Sequence, residues 1–216
     1  MNSYSGYARA LDVEGISSDN DANVHLYDYV NGNNQKWVLE KITNLAVMDS
    51  VPQIGQEKHT WCWVASPAML AKYYRPDIDK SQSEIVMAVN GRLTDDEGKS
   101  EYGDLNDSFQ AARFATDYTV SFTKQSSSLT QAQLINHLNY GNPVMITRKA
   151  PKIGHCTVVY GYVNYKGLRF LVRDPWPDNN RWPSSGQSYT RTYEELVNGN
   201  STGVDNSRWT ESLFHQ

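Results

Sequence analysis

The spacing of apolar and polar positions changes once along the chain. Up to about residue 41, short alternating runs such as residues 24–27 are separated by turn signals such as Asn31 and Gly32, a pattern that predicts β structure. From residue 62 to residue 74 the chain is apolar almost all round, which predicts a central, buried helix. Pro67 lies near the start of that helix and predicts a kink, because proline removes a helical hydrogen bond.

Three further helices are predicted by the residues at their starts. Ser81 and Glu84 have the spacing of a capping box, and so have Thr130 and Gln133. Asp104 is the expected N-cap of a helix between these two. The middle of the chain is therefore predicted to be mainly helical.

The last third of the chain is predicted to form strands over residues 143–149, 155–163 and 168–173, where apolar residues alternate or run together. Helices followed by antiparallel strands predict an α+β fold, and the alternating first segment predicts a small β module in front of it. The predicted boundaries are a β module at 1–41, a linker at 42–52 and a main domain at 53–216.

Composition and charge narrow the classes of protein. The chain has 216 residues, of which 39% are hydrophobic and 20% charged, and this is typical of a globular protein. A net charge of −4 argues against a general nucleic-acid surface. No apolar stretch is long enough to span a membrane, and residues 1–20 lack the pattern of a signal peptide. Many Asn, Ser and Tyr residues nevertheless suit a secreted or extracellular protein.

An amide, a thiol and an indole stand together at the start of the predicted buried helix, at Gln56, Cys62 and Trp63. A helix N-terminus stabilises a thiolate, so we expect the pKa of the Cys62 thiol to be lowered. The Gln56 side chain can donate a hydrogen bond to an oxyanion on a substrate carbonyl. For a cysteine taken alone, a buried structural thiol is the alternative.

A candidate acid–base pair follows downstream. His155 opens a long apolar strand and Asp174 ends the next one, so the aspartate can orient a histidine that transfers protons. The alternatives are a histidine satisfied within its strand and a turn-forming aspartate before a proline. His59 and Gln53 are weaker rivals for the histidine and glutamine roles. Cys156 follows His155 directly, so its side chain is expected to face the other side of the strand and to belong to the core.

In the order Gln56, Cys62, His155 and Asp174, the sequence resembles the papain-like cysteine peptidases. The motifs Trp-Cys-Trp, Gly-His-Cys and Asp-Pro-Trp around the last three resemble the compact bacterial branch, which includes plant-pathogen effector proteases and relatives of the bacteriocin-leader peptidases. The resemblance covers residues 51–216. It implies a papain-like two-lobed fold, in which the site lies between a helical lobe and an antiparallel sheet.

The resemblance also implies a cysteine endopeptidase that cuts protein or peptide substrates through a thioester acyl-enzyme, without a metal or organic cofactor. Cys62 would attack, His155 would transfer protons and Asp174 would orient His155. Gln56 and the backbone N–H of Cys62 would form the oxyanion hole. An indole two residues after the aspartate would shield the His155–Asp174 pair. The expected substrate-binding residues are Trp63, Trp176 and Trp182.

Two other functions stay open. An amidase, a deamidase or a transglutaminase would use the same triad, because triad geometry does not select the acceptor. A carbohydrate-binding protein with a relic protease domain is the second alternative, although a relic has no need of all four predicted catalytic residues.

The first 41 residues resemble one repeat of a ricin-type β-trefoil lectin, through the segments Leu-Asp-Val, Val-His-Leu-Tyr and Asn-Gln-Lys-Trp. The resemblance gives Gln35 and Trp37 structural roles, with Trp37 in the core of the repeat. A trefoil needs three repeats, so this one is expected to pack on the main domain, to join copies from other chains in a homo-oligomer, or to belong to a longer protein. The glycan contacts that the resemblance implies are Asp12, His25, Tyr27 and Asn34.

Overall fold

The chain divides into two compact units, Met1–Lys41 and Ile42–Gln216. The structure is a computed structural model that describes residues 8–18, 22–37, 44–93, 103–150, 153–177, 183, 185–199 and 207–216.

The first unit is a small β structure. Its strands β1 (Arg9–Val13) and β2 (Val24–Asp28) pair antiparallel, and each is followed by a single 3-10 turn, Glu14–Ile16 and Asn33–Gln35 respectively. Two strands form only one layer, so the unit has little core of its own.

The side chains of one glutamine and one tryptophan form hydrogen bonds that connect the segments of this unit. The buried Gln35 side chain donates to the Asp12 carboxylate (2.8 Å) and to the Asp28 carbonyl (2.9 Å). The Trp37 indole donates to the Leu11 carbonyl (2.8 Å), but the residue is 48% exposed. The prediction that Trp37 lies in a core is therefore wrong, since the described residues of this unit form a single two-stranded layer that leaves about half of its side chain exposed.

The second unit begins with most of its helices. Buried residues fill α1 from its first residue to Ala71, and the helix runs unbroken through Pro67. The predicted capping boxes of α2 and α4 are present, and Asp104 caps α3 by exchanging hydrogen bonds with Asp107. The helices are α1 (Cys62–Tyr74), α2 (Gln82–Asn90), α3 (Leu105–Ala115), α4 (Gln131–Asn139) and α5 (Tyr193–Asn198).

In the described part of this unit, seven antiparallel strands form the sheet, in the order β4-β9-β5-β6-β7-β8, with β3 also paired to β6. The three predicted strands correspond to β5, β6 and β7, and the predicted α+β fold class is confirmed. The strands are β3 (Leu45–Val47), β4 (Phe122–Gln125), β5 (Val144–Ala150), β6 (Ile153–Asn164), β7 (Leu168–Asp174), β8 (Gln187–Arg191) and β9 (Arg208–His215).

The segment predicted as a linker, residues 42–52, contributes to this sheet. Its residues 45–47 form β3 and pair with residues 161–163 of β6. Gly161 permits this close pairing, because a Cβ there would lie 2.5 Å from the Ala46 carbonyl oxygen. The second half of β6 thereby gains a partner on the edge that β5 leaves uncovered.

Candidate active site

A cavity of about 210 Å³ opens where the start of α1 meets the sheet. It brings together three predicted residues that lie far apart in the sequence, Cys62, His155 and Asp174. The residues that line it are His59, Thr60, Cys62, Gly154, His155, Asp174, Trp176 and Gln187.

Cys62 is placed by the first turn of α1. Trp61 precedes the helix, and its carbonyl accepts the N–H groups of Val64 (3.0 Å) and Ala65 (2.9 Å), which starts the helical hydrogen bonding. Cys62 is therefore the first helical residue, and its own N–H lies at the positive end of the helix dipole. The residue is buried, although it lines the cavity.

The neighbouring thiol of Cys156, and then burial, raise the pKa of the Cys62 thiol well above its ordinary value. The expectation of a lowered pKa is therefore wrong for this conformation, because a neighbouring thiol and a dry site favour the neutral form more than the helix terminus favours the charged one. Both cysteines are free thiols.

Cys156 is buried as predicted, but it is not a passive core residue. Besides Cys62, its sulfur contacts the Thr147 hydroxyl at 3.6 Å. Its carbonyl accepts a hydrogen bond from the Ser66 hydroxyl (2.9 Å), one helical turn beyond Cys62. This hydrogen bond joins strand β6 to α1 next to the predicted nucleophile. The alternation of side chains along a strand, on which the prediction for Cys156 was based, does not reveal such a contact.

His155 and Asp174 form the closest polar contact at the cavity. Nε2 of His155 lies 2.7 Å from Oδ1 of Asp174, whereas Nδ1 is buried without a hydrogen-bond partner. A proton on Nε2 is required for the bond to an ionised carboxylate, so Nδ1 of the neutral ring carries the free lone pair. That nitrogen is chemically ready to accept a proton.

The charges of this pair reinforce each other. Burial alone lowers the pKa of His155, but the charge and hydrogen bond of Asp174 outweigh burial and raise it. Burial would raise the pKa of Asp174, but the charge of His155 and several hydrogen bonds lower it. The carboxylate therefore stabilises the imidazolium that forms when His155 accepts a proton.

The Peptidase_C39 like family matches residues 48–201 of this chain. This protein belongs to the Peptidase_C39 like family. The match spans Cys62, His155 and Asp174, and it confirms the prediction of a papain-like cysteine peptidase at the level of the family. It does not extend to the first unit. No curated protein matches the sequence.

Among solved structures, this Peptidase_C39-like chain is similar to a digestive procathepsin L2 proteinase from the larval midgut of Tenebrio molitor. The two chains are 13% identical with a TM-score of 0.38, and the similarity covers 77% of this chain. This chain spans 65% of the length of that procathepsin.

Trp176 covers the histidine of this Peptidase_C39-like protein, as predicted. Its ring stands edge-on to His155, with the centroids 5.7 Å apart, and edge-on to His59 at 5.1 Å. Its backbone N–H also donates to the Asp174 carboxylate (2.8 Å). Trp182, the other tryptophan predicted after Asp174, lies outside the described residues.

The structure does not place Trp63 at the cavity. Trp63 is buried, and its ring packs so closely on Gly103 that a Cβ there would lie 2.2 Å from it. The predicted substrate contact is therefore wrong, because a residue next to Cys62 on a helix points about 100° away from it. Here that direction leads into the core.

Gln56 does not reach the cavity either. It is fully buried, and its side-chain nitrogen donates to the carbonyl oxygens of Lys58 (2.8 Å) and His59 (2.7 Å). An amide nitrogen has two hydrogens, so both are used within the loop that leads to Cys62. The predicted oxyanion role is wrong for this conformation, in which Gln56 shapes the loop.

Tyr189 escaped the sequence analysis, and Gln53 was considered there only as a rival of Gln56. Tyr189 on β8 donates its hydroxyl to Asp174 (2.8 Å), and Gln53 donates its side-chain amide to the Asp174 carbonyl (2.9 Å). For Tyr189, the alternating pattern of residues 187–191 could have predicted the strand that carries it. No local signal marks Gln53, since its contact depends on how two distant segments meet.

The described residues contain no group of three or more His, Cys, Asp or Glu side chains arranged to hold a metal ion. Within the same part of the chain, every helix is too short or too polar to cross a membrane.

The four residues predicted to bind glycan come together on the first unit. The Asp12 carboxylate accepts a hydrogen bond from the Asn34 amide (2.9 Å) and lies 3.4 Å from Nε2 of His25. The His25 ring is stacked on Tyr27, with the centroids 5.8 Å apart. The buried Asp12 carboxylate thus lies next to the Asn34 amide and the His25 ring, and the exposed Tyr27 ring stacks on His25.

Proposed function

We propose that this protein is a cysteine endopeptidase that hydrolyses peptide bonds through a thioester acyl-enzyme. The observation that carries the proposal is the shared cavity of Cys62, His155 and Asp174, in which His155 has one nitrogen bound to Asp174 and the other free of hydrogen bonds. This is the arrangement that acyl transfer by a thiol needs.

The first step is proton transfer from the Cys62 thiol to Nδ1 of His155. The resting thiol is protonated, because Cys156 and burial raise its pKa, whereas Asp174 raises the pKa of His155 so that the ring can hold the proton. The thiolate then attacks the substrate carbonyl carbon. In this scheme the thiolate forms during the reaction, and the resting enzyme does not contain a thiolate–imidazolium ion pair.

The negative charge on the carbonyl oxygen is stabilised at the start of α1. The N–H of the first helical residue, Cys62, makes no bond within the helix and can donate to that oxygen. Gln56 supports this site indirectly, by holding the loop that precedes Cys62.

The intermediate then collapses. His155 gives its proton to the leaving amine, the C–N bond breaks, and Cys62 keeps the acyl group as a thioester. A water molecule, deprotonated by His155, attacks the thioester and releases a carboxylic acid and the free thiol. Asp174 orients His155 throughout.

A mixed peptide library, analysed by mass spectrometry, tests this function. New peptide ends that appear with the wild type, and not with Cys62→Ala, would support it. Intact peptides that gain the small mass of deamidation would instead indicate an amidase or deamidase, and cross-linked peptides a transglutaminase. Unchanged peptides at neutral and mildly acidic pH would refute an enzymatic role.

We also propose that the first unit is a lectin-like module that directs the enzyme to glycans outside the cell. The cluster of Asp12, His25, Tyr27 and Asn34 supports this. A glycan array tests it, with Tyr27→Ala and Tyr29→Ala as a matched pair, because both tyrosines are about half exposed and only Tyr27 stacks on His25. Binding that Tyr27→Ala alone abolishes would support the proposal, and equal binding by both variants would contradict it.

A homo-oligomer through this unit is the third proposal. Leu11, Val24 and Leu26 are each close to or above half exposed, which is costly for apolar side chains unless another surface covers them. Light scattering of the full chain tests this proposal. A mass of several protomers that Leu26→Asp reduces to one would support it, and a monomeric wild type would refute it.

A further inference from the structure

Strand β8 supplies a residue that fixes the second oxygen of the Asp174 carboxylate. Oδ1 accepts the hydrogen bonds of His155 and of the Trp176 N–H, and Oδ2 accepts the hydroxyl of Tyr189 at 2.8 Å. Tyr189 stands opposite Val172, two residues before Asp174 on β7. Both carboxylate oxygens are thus held, which stops the group from rotating away from His155.

Tyr189 is itself held in place. The guanidinium of Arg191, two residues further on the same face of β8, lies over its ring at 4.3 Å. Burial, and then the charge of Asp174, raise the pKa of Tyr189. The phenol therefore keeps its proton throughout the pH range of an enzyme and acts as a donor to the carboxylate.

The main chain of Asp174 is fixed by a separate contact. The Gln53 amide donates to the Asp174 carbonyl (2.9 Å) and accepts the Ser188 hydroxyl (2.9 Å), which links the end of β7 to the start of β8. Gly186 leaves room for this contact, since a Cβ there would lie 2.2 Å from the Gln53 nitrogen. Because the Gln53 contact fixes the backbone of Asp174 independently, the loss of Tyr189 is expected to affect the orientation of the carboxylate and not the position of the main chain.

We propose that Tyr189 is a positioning residue that fixes the Asp174 carboxylate and thereby holds His155 with its proton on Nε2 and its Nδ1 lone pair in the cavity. The proposal rests on the function proposed above. Without the hydroxyl, Oδ2 loses its partner, the carboxylate gains rotational freedom, and the neutral His155 ring populates the other tautomer, which cannot accept the proton of Cys62 through Nδ1.

The variant Tyr189→Phe tests this, with Tyr193→Phe as the matched control. The control removes a hydroxyl that makes one hydrogen bond of the same length, 2.8 Å, but to the Leu129 carbonyl away from the cavity. We expect Tyr189→Phe to lower kcat about ten-fold with KM unchanged. The acidic limb of kcat should also move to higher pH, because the carboxylate loses a donor that stabilises its charged form. Tyr193→Phe should change neither.

A second readout does not require activity. In the Cys62→Ala background, the ¹⁵N resonances of His155, identified by their loss in His155→Gln, report the tautomer of the ring. We expect the Nε2–H form with Tyr189, and a mixture of both forms in Tyr189→Phe. If the wild type cleaves no peptide, the proposed function fails, while this spectrum still decides the role of Tyr189.

Arg191→Met provides a second variant, at a half-buried position, in case Tyr189→Phe does not fold. It removes the cation that holds the Tyr189 ring, so we expect the same direction of change in kcat and in the acidic limb, but a smaller one. The proposal is overturned if Tyr189→Phe matches Tyr193→Phe in kcat, pH profile and tautomer. It is also overturned if Tyr189→Phe is unfolded and Arg191→Met shows no shift.

Discussion

The Cys62 thiol has the buried thiol of Cys156 as its neighbour, and this neighbour raises the pKa of Cys62. Ser66 fastens the Cys156 carbonyl to the same helix, which keeps the two cysteines together. The contact stabilises the protonated form of Cys62. It thus sets the resting state from which the enzyme starts.

Removing the Cys156 thiol should make Cys62 more reactive. In Cys156→Ala, the largest cause of the raised pKa disappears, so the thiolate fraction of Cys62 rises at a given pH. We expect iodoacetamide to label Cys62 about ten-fold faster at pH 7 for each pKa unit lost. Mass spectrometry locates the label, and Cys62→Ala, which lacks the thiol, is the negative control. Superimposable pH–rate curves for Cys156→Ala and the wild type would contradict this account.

Asp174→Asn should abolish most of the activity. The amide cannot stabilise the imidazolium, and it favours the wrong tautomer of His155, so we expect kcat to fall by a factor on the order of 10³–10⁴. Steady-state kinetics measure the change. A matched control is Asp79→Asn, an exposed aspartate that pairs with Lys72 at the surface. Equal kcat values for the two variants would remove Asp174 from the mechanism.

The His155–Asp174 pair should stabilise the fold within a limited pH window. Asp174 has a lowered pKa, so its contribution is present above its ordinary pKa of about 3.9 and is lost as pH falls through the folded value. His155 has a raised pKa, so its contribution is present below about 6.5 and is lost as pH rises through the folded value. Thermal unfolding from pH 3 to pH 9 should show the largest Tm difference between wild type and Asp174→Asn from about pH 4 to 6.5. A difference that does not vary with pH would argue against a charged pair.

Gln56→Ala should lower both the stability of the protein and its kcat. The substitution removes two buried hydrogen bonds, while the Lys58 carbonyl keeps the Trp61 N–H as a donor, so we expect the free energy of unfolding to fall by about 1–3 kcal/mol. Urea denaturation measures it, with the exposed Gln131→Ala as the control. A variant that keeps full stability and loses only kcat would restore the predicted oxyanion role.

Gly161→Ala should loosen strand β3. The added methyl group would meet the Ala46 carbonyl oxygen at 2.5 Å, so the strand must move, at a cost of about 1–3 kcal/mol. Gly154→Ala on the same strand is the stability control, because the added Cβ would lie 4.0 Å from its nearest neighbour, the Arg148 carbonyl oxygen. Equal urea midpoints for the two variants would show that β3 contributes little.

Local patterns were sufficient for four of the helices, for the three central strands and for much of the site. Capping residues such as Ser81 and Thr130 marked helix starts correctly, because a cap depends only on residues three positions apart. Cys62 and His155 were identified as candidate catalytic residues from their sequence neighbours and from the resemblance to papain-like cysteine peptidases. The same signals misplaced Trp63 and Gln56, whose surroundings are formed by segments distant in the sequence.

The sequence by itself determined four of the helices, the central strands and the choice of Cys62, His155 and Asp174 as candidate site residues, since periodicity, caps and motif order are properties of short segments. Only the tertiary structure decided which polar groups meet. Whether Gln56 faces the loop or the substrate, whether Cys62 contacts Cys156, and whether Tyr189 reaches Asp174 depend on the packing of α1 and β8 against the sheet. Hydrogen bonds act over about 3 Å, so their partners are fixed by that packing and not by distance along the chain.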